Sequence, residues 1–204
     1  MDMKRLVLLM LALLITSVAG AQVRIVEDFE NSTALDWSEY ADKRMSALVM
    51  MGALELKALE DFMPVSCTAE LPVVPEYDFK IKAKLFIPKV DDKHVFGVIV
   101  DMDEDFNKIA FLFSEDMFVV RHYNNGKIDS EKGEIRPIKL KGGKDRTMEL
   151  EVIRRGGSYI VNYDNIEVLR WKRRLESPHF GFFTTSHLKV DEVIVEQEYT
   201  GQSE

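Results

Sequence analysis

The stretch Phe79-Lys80-Ile81-Lys82-Ala83-Lys84-Leu85-Phe86-Ile87 alternates apolar and basic side chains over its first seven positions. Successive side chains of a β-strand point to opposite faces, so this alternation places the apolar groups on one face and the lysines on the other. A helix would instead need apolar positions separated by three and four residues. The stretch therefore predicts a half-buried strand.

The same period of two recurs through most of the chain, in runs bounded by Asp, Asn and Gly. Residues 94–101, 108–114 and 117–124 predict a meander of three strands, with a turn at 103–107. Asn124-Asn125-Gly126-Lys127 predicts a hairpin, because Asn-Gly tolerates the positive φ angles of a type I′ turn. Further strands are predicted at 24–30, 53–58, 147–152, 158–163, 166–171, 180–184 and 188–199, and a short helix at 41–51.

Strands of this kind cannot leave their apolar faces in water, so they must form two packed sheets or a barrel. We expect an all-β fold, a β-sandwich of two antiparallel, curved sheets. The sequence shows no internal repeat and no linker rich in Pro, Gly or Ser. A single domain over residues 22–204 is therefore expected.

The N-terminal residues have the pattern of a secretory signal peptide. Lys4 and Arg5 precede an apolar run from Leu6 to Ile15, and Ala19-Gly20-Ala21 gives a small-x-small cleavage site. The alternative is a membrane anchor, but a bilayer core needs roughly 20 apolar residues and this run is shorter. We expect cleavage after Ala21, no transmembrane segment afterwards, and export to the periplasm, the cell surface or the medium.

Composition excludes some classes of partner and chemistry. The net charge of −8 argues against nucleic-acid binding, because affinity for phosphates depends on cationic side chains. Cys67 is the one cysteine, so it has no partner for an intrachain disulfide. No histidine or cationic residue lies near it in sequence, and a buried, inert thiol is expected.

Several motifs, taken in order, resemble the concanavalin A-like superfamily of lectins and glucanases, whose laminin-G-like members are jelly rolls. The resemblance covers nearly the whole of residues 22–204, although each motif alone encodes only strand geometry. The matching segments are Phe29…Trp37…Gly52-Ala53-Leu54-Glu55-Leu56, Phe96-Gly97-Val98, Tyr123 to Lys127, Leu150-Glu151-Val152 with Tyr159-Ile160-Val161-Asn162, and Phe180-Gly181-Phe182 with Val190-Asp191-Glu192-Val193.

The superfamily resemblance implies a jelly-roll β-sandwich but not one function, since its members include lectins, glycosidases and adhesive modules. The chain also resembles the 3-keto-disaccharide hydrolase-like family, whose catalytic residues have no identifiable counterparts here. An enzyme is thus possible, but we assign no catalytic residue.

Glycosidases of this superfamily carry an E-x-D-x-x-E pattern on one strand, which lets two carboxylates flank a sugar. The nearest match is Glu149-Leu150-Glu151-Val152-Ile153-Arg154, in which Arg154 replaces the last carboxylate. The solvated face of an alternating strand has the same pattern. We therefore favour a solvated face over a catalytic pair.

Metal-binding patterns are incomplete. Asp101-Met102-Asp103-Glu104-Asp105 is rich in carboxylates, but Phe106 and Leu112 occupy positions at which an EF-hand needs Gly and Glu. We expect a hairpin turn here and no resident cofactor, with calcium in a loop as the alternative. The four histidines lack zinc-site spacing.

Residues 136–174 contain 11 basic and 5 acidic residues, a local net charge of +6 in an acidic protein. The densest point is Arg170-Trp171-Lys172-Arg173-Arg174. This cluster of cations around a tryptophan is typical of a site for an anionic glycan or an acidic partner. The alternative is a solvated turn whose tryptophan is anchored in the core.

Three functions follow from these observations. The first is a carbohydrate-binding module that recognises a glycan on a concave sheet face, with Arg121, Tyr123, Tyr163 and Trp171 as candidate ligand-binding residues. The second is a glycan-active hydrolase of the same fold. The third is a non-catalytic module that binds a protein of the cell envelope.

Overall fold

The computed structural model describes residues 22–30, 33–74, 77–140, 142–172 and 177–198, without the side chains of 130–133. The predicted signal peptide, its cleavage site and Arg173-Arg174 lie outside these ranges. Within them, no helix is long and apolar enough to cross a membrane. The domain boundaries at 22 and 204 stay a prediction.

The described residues form fifteen strands. They are β1 (Gln22–Glu27), β2 (Tyr40–Ala41), β3 (Met45–Met50), β4 (Ala53–Ala58), β5 (Val65–Glu70), β6 (Phe79–Val90), β7 (Phe96–Met102), β8 (Lys108–Phe113), β9 (Met117–Asn124), β10 (Lys127–Pro137), β11 (Gly143–Arg155), β12 (Ser158–Tyr163), β13 (Ile166–Lys172), β14 (His179–Thr184) and β15 (His187–Glu198).

The strands build two antiparallel sheets that pack face to face. The nine-stranded sheet has the order β13-β12-β11-β6-β15-β4-β3-β2, with β1 paired to β15. The six-stranded sheet has the order β10-β9-β8-β7-β14-β5. The predicted all-β sandwich is confirmed.

The stretch at 79–87 forms most of β6, which lies between β11 and β15. Five of its apolar side chains are buried in a core that both sheets share, namely Phe79, Ile81, Ala83, Leu85 and Ile87, while Lys84 is exposed. The predicted alternation therefore sets which face of the central strand points inward.

The predicted helix at 41–51 is wrong, because β3 pairs with β4 over Met45–Met50. The two strands are joined at Met51 and Gly52, whose φ angles of 52° and 71° are those of a tight hairpin turn. Methionine is not a usual turn residue, so turn chemistry does not predict this hairpin. Strands β2, β5 and β10 were also not predicted.

Cys67 is buried and free, as predicted. Burial raises the pKa of its thiol to about 11. Because the thiolate is the reactive form, we expect no labelling by a disulfide reagent at pH 8 in the folded protein and one equivalent after unfolding in urea. Fast, complete labelling of the folded protein would contradict this burial.

Candidate functional site

A cavity of about 280 Å³ lies at the end of the six-stranded sheet where β7 and β9 finish and β8 and β10 begin. We call it the end pocket. Polar side chains dominate its walls, with one tyrosine among them. Its lining residues are Asp101, Asp103, Asn107, Lys108, Ile109, His122, Tyr123, Asn124, Asp129 and Ser177.

The rim of the end pocket consists of two hairpin turns that are hydrogen-bonded to each other. Asp103 accepts the Asn107 backbone N–H at 2.9 Å and its side-chain Nδ2 at 2.8 Å. Asn107 Oδ1 in turn accepts the backbone N–H of Asn125 at 3.0 Å. Asn107 therefore joins the two turns and fixes the polar groups of the rim.

The second of these turns is the predicted Asn-Gly hairpin. Asn125 and Gly126 have φ angles of 49° and 73°, as a type I′ turn requires. The Gly126 N–H also donates to the Phe106 carbonyl oxygen at 3.3 Å. The turn residues predicted for chain reversal thus also shape the pocket.

Lys108 and Tyr123 are cross-strand neighbours on β8 and β9. The Lys108 ammonium lies 5.1 Å from the centre of the Tyr123 ring, within the range of a cation–π contact. Burial lowers the pKa of Lys108. Because Lys108 makes no ion pair with a described residue, its ammonium retains hydrogen-bonding capacity toward a ligand.

The inner wall connects the pocket to the space between the sheets. The His122 ring packs edge-on against Trp171 of β13, with ring centres 5.3 Å apart. The buried carboxylate of Asp101 accepts the Ser177 backbone N–H at 2.9 Å, and Ser177 Oγ bonds the Met102 carbonyl oxygen. These contacts hold the wall in place from both sheets.

The four predicted ligand-binding residues occupy different surroundings. Tyr123 lines the end pocket and Trp171 contacts its wall residue His122. Arg121 lies two residues before Tyr123 on the same face of β9. Tyr163 is only 8% exposed and packs edge-on against Phe113 in the core, which removes it from the candidate site.

Most of the polar lining was not predicted to bind a ligand, namely Asn107, Lys108, His122, Asn124 and Asp129, and Asp103 was considered only for calcium. The segments that carry them were predicted as strand ends and hairpin turns. Two turns of one meander that lie at the same end of a sheet bring such residues together. The shared position of these two turns was the sequence feature from which the pocket could have been predicted.

Glu149 and Glu151 lie on the outer face of the nine-stranded sheet, away from the end pocket. Lys82 Nζ is 3.5 Å from Glu149 and 3.6 Å from Glu151. Asn162 Nδ2 donates to Glu151 at 2.7 Å. The two carboxylates thus belong to a charged ladder across neighbouring strands, the arrangement that a solvated face produces.

Among the described side chains, no group of three or more His, Cys, Asp or Glu is placed to hold a metal ion. In the aspartate-rich segment, Asp103 bonds within its own turn, and the hydrogen bond from the Asn107 side chain lowers its pKa. The predicted hairpin turn is confirmed. Calcium binding stays a hypothesis that these contacts do not support.

A second cavity of about 280 Å³ lies on the nine-stranded sheet and includes Lys80, Arg155 and Glu196. There Glu196 is paired with Lys80 at 2.6 Å and with Arg24 at 3.3 Å. Each oxygen of its carboxylate thus has an ion-pair partner. The end pocket differs in its rim, which hydrogen bonds between two turns hold in place.

The two packed sheets and their strand order define a concanavalin A-like jelly-roll β-sandwich, as the sequence resemblance implied. No protein-family model matches the chain, and no curated protein matches its sequence. The fold is nevertheless shared with solved structures of carbohydrate-active proteins.

Three of these neighbours illustrate the similarity. Carbohydrate-binding module CBM66 from Bacillus subtilis has a TM-score of 0.55 at 11% identity, covering 76% of this chain and 91% of that one. The catalytic domain of an endo-1,3-β-glucanase from Thermotoga petrophila has a TM-score of 0.57 at 9% identity, covering 88% and 99%. SCLam, a family GH16 endo-β-1,3(4)-glucanase, has a TM-score of 0.61 at 8% identity, covering 89% and 94%.

Proposed function

We propose that the protein binds a carbohydrate in the end pocket. The observation that carries this proposal is the placement of the Tyr123 ring beside the fixed polar groups of Asp103 and Asn107. Small-molecule sites combine such an aromatic surface with a few polar groups held in position. Sugar rings offer both an apolar C–H face and hydroxyl groups, and the pocket complements both.

The rim can bind hydroxyl groups without breaking its own hydrogen bonds. Each oxygen of the Asp103 carboxylate has two acceptor sites, of which the Asn107 bonds use one per oxygen. The Lys108 ammonium, which also lines the pocket, adds donors. The similarity of the fold to a carbohydrate-binding module supports this proposal.

One carboxylate of the pocket, Asp103, is better suited to binding a sugar than to acid catalysis. A glycosidase needs one carboxyl group that is protonated and can donate its proton to the leaving oxygen. The Asp103 pKa is lowered by the Asn107 side-chain hydrogen bond, so this carboxyl is ionised at neutral pH. Asp103 therefore fits the role of a hydrogen-bond acceptor rather than that of a general acid.

The first test replaces Tyr123 with alanine and measures binding to a panel of neutral and acidic polysaccharides by affinity electrophoresis. We expect the wild-type protein to be retarded by at least one of them. Tyr123→Ala should weaken that binding at least about tenfold, equivalent to about 1.4 kcal/mol, because the aromatic contact is lost.

The matched control is Phe62→Ala, which removes an exposed aromatic ring that stacks on His94 at the opposite end of the sandwich. This variant should bind like the wild type. Fluorescence gives a second readout, because Trp171 contacts the pocket wall whereas Trp37, the only other tryptophan, is buried in the core. No retention on any polysaccharide, or equal losses in both variants, would refute the proposal.

We also propose that the protein is exported after removal of residues 1–21. The cationic start, the apolar run and Ala19-Gly20-Ala21 support this proposal. Mass spectrometry of the protein purified from its native host should show Gln22 as the N-terminal residue. An intact N-terminus on all of the cellular protein would contradict it.

A further inference from the structure

Asn125 is the one asparagine of the chain that precedes a glycine. It lies in the two-residue turn between β9 and β10, on the rim of the end pocket, and is exposed to solvent. Glycine has no Cβ, so the backbone nitrogen of Gly126 is open to approach by the preceding side chain. The two residues therefore have the local chemistry for attack of a backbone nitrogen on a side-chain amide.

We propose that Asn125 is a site of non-enzymatic deamidation, and that the hydrogen bonds of the rim limit its rate. The Gly126 nitrogen bonds to Asn125 Cγ and the Cγ–Nδ2 bond breaks, which forms a succinimide. The leaving Nδ2 takes the proton of the Gly126 N–H and departs as ammonia. Water then opens the ring at either carbonyl, and the product is an aspartate or an isoaspartate.

Two hydrogen bonds restrain the turn in which this reaction takes place. The Gly126 N–H donates to the Phe106 carbonyl oxygen at 3.3 Å, and it must leave this acceptor before its nitrogen can attack. The Asn125 N–H donates to Asn107 Oδ1 at 3.0 Å, which ties the turn to its neighbour on the rim. Removal of the Asn107 side chain should therefore release the turn and accelerate deamidation.

A second turn of the same kind gives a matched control within the protein. Asp164 and Asn165 join β12 to β13 with φ angles of 44° and 64°, and Asn165 is exposed like Asn125. The residue after Asn165 is Ile166, whose β-branched side chain crowds the backbone next to its nitrogen. Asn165 thus shares the left-handed turn conformation and the exposure of Asn125 but lacks the following glycine.

The test incubates the purified protein at mildly alkaline pH and follows each asparagine by peptide mapping with mass spectrometry. Deamidation replaces an amide with a carboxylate, so it raises the peptide mass and adds one negative charge. We expect Asn125 to convert at least about tenfold faster than Asn165, a difference in barrier of about 1.4 kcal/mol. Labelling with a methyltransferase specific for isoaspartate identifies that product.

The variant Asn107→Ala tests the role of the rim. Conversion of Asn125 should accelerate about fivefold, which corresponds to the loss of one hydrogen bond of about 1 kcal/mol. The rate at Asn165 should stay that of the wild type, because its turn belongs to the other sheet. The ratio of the two rates within one sample therefore separates release of the rim from a general loosening of the fold.

Deamidation also has a consequence for the end pocket, and this consequence rests on the proposed carbohydrate binding. An isoaspartate adds one methylene to the backbone of the turn, which then no longer fits a two-residue hairpin. Anion-exchange chromatography separates this form by its additional charge. It should bind the polysaccharide that retards the wild type at least about tenfold more weakly.

Equal conversion of Asn125 and Asn165 in the wild type would overturn the assigned site. An unchanged rate at Asn125 in Asn107→Ala, or an equal increase at both asparagines, would overturn the control by the rim. An isoaspartate form that binds as tightly as the wild type would remove the link to the pocket. If no polysaccharide binds the wild type, the proposed function fails, while peptide mapping still decides the deamidation site.

Discussion

Replacing Gly181 with alanine is expected to lower the free energy of unfolding by about 3 kcal/mol, a large fraction of the stability of a typical domain. Gly181 lies in β14 and pairs with Thr68 of β5 and Ile99 of β7. A methyl group there would overlap the Cys67 carbonyl oxygen and come within 2.8 Å of Thr68 Cα. Because these are backbone atoms of a paired strand, they cannot move aside without breaking the sheet.

Urea unfolding of the two proteins measures this effect. Gly156→Ala is the control, because its new methyl group would meet no atom within 4 Å, although its φ angle is 52°. That backbone conformation alone costs an alanine about 1–2 kcal/mol. A Gly181→Ala protein as stable as Gly156→Ala would show that the close strand approach is absent.

Replacing Glu27 with alanine should cost about 3 kcal/mol, since it leaves two buried backbone donors without an acceptor. Glu27 is buried at the end of β1, and its two carboxylate oxygens accept the N–H groups of Phe29 at 3.1 Å and Leu35 at 3.0 Å. Phe29 packs against Trp37, with ring centres 5.9 Å apart. Loosening this segment should also shift tryptophan emission to longer wavelength.

The appropriate control is Glu30→Ala in the same segment, because Glu30 is exposed. Its free energy of unfolding should stay within about 0.5 kcal/mol of the wild type. Urea unfolding followed by fluorescence compares all three proteins. A Glu27→Ala protein with wild-type stability and emission would rule out a structural role for the buried carboxylate.

Alternation of side chains was sufficient to predict most strands, because a half-buried strand must show a period of two. The alternation did not predict the strands that lack this period of two. β10 is an edge strand with a register shift between Asp129 and Glu134, so packing does not impose alternation on it. β3 was mistaken for a helix because its turn uses Met51, a residue without turn preference.

The candidate site was harder to predict, because it depends on which strands pair. Tyr123 was found from its position on an alternating strand. Lys108 and Asn107 become its neighbours only through the pairing of β8 with β9. The burial of Tyr163 was not predicted, because alternation does not say which face of a strand is buried. Asn162, the preceding residue, donates a hydrogen bond to Glu151 on the outer face of the sheet. Because successive side chains of a strand point to opposite faces, Tyr163 points inward.

The two sheets of the sandwich offer different surfaces for the proposed binding. The nine-stranded sheet provides a charged, solvated surface with Glu149 and Glu151 in its ladder. The turns at one end of the six-stranded sheet provide the polar end pocket. The proposed recognition therefore uses one sheet of the two.

The most direct test of this account is an NMR titration of the ¹⁵N-labelled protein with the saccharide that gives the strongest retardation in affinity electrophoresis. Amide shifts should concentrate at 103–108 and 122–129, around the rim and wall of the end pocket. Shifts confined to the strands β6, β11 and β15, or spread evenly over both sheets, would contradict the assignment of carbohydrate binding to this pocket.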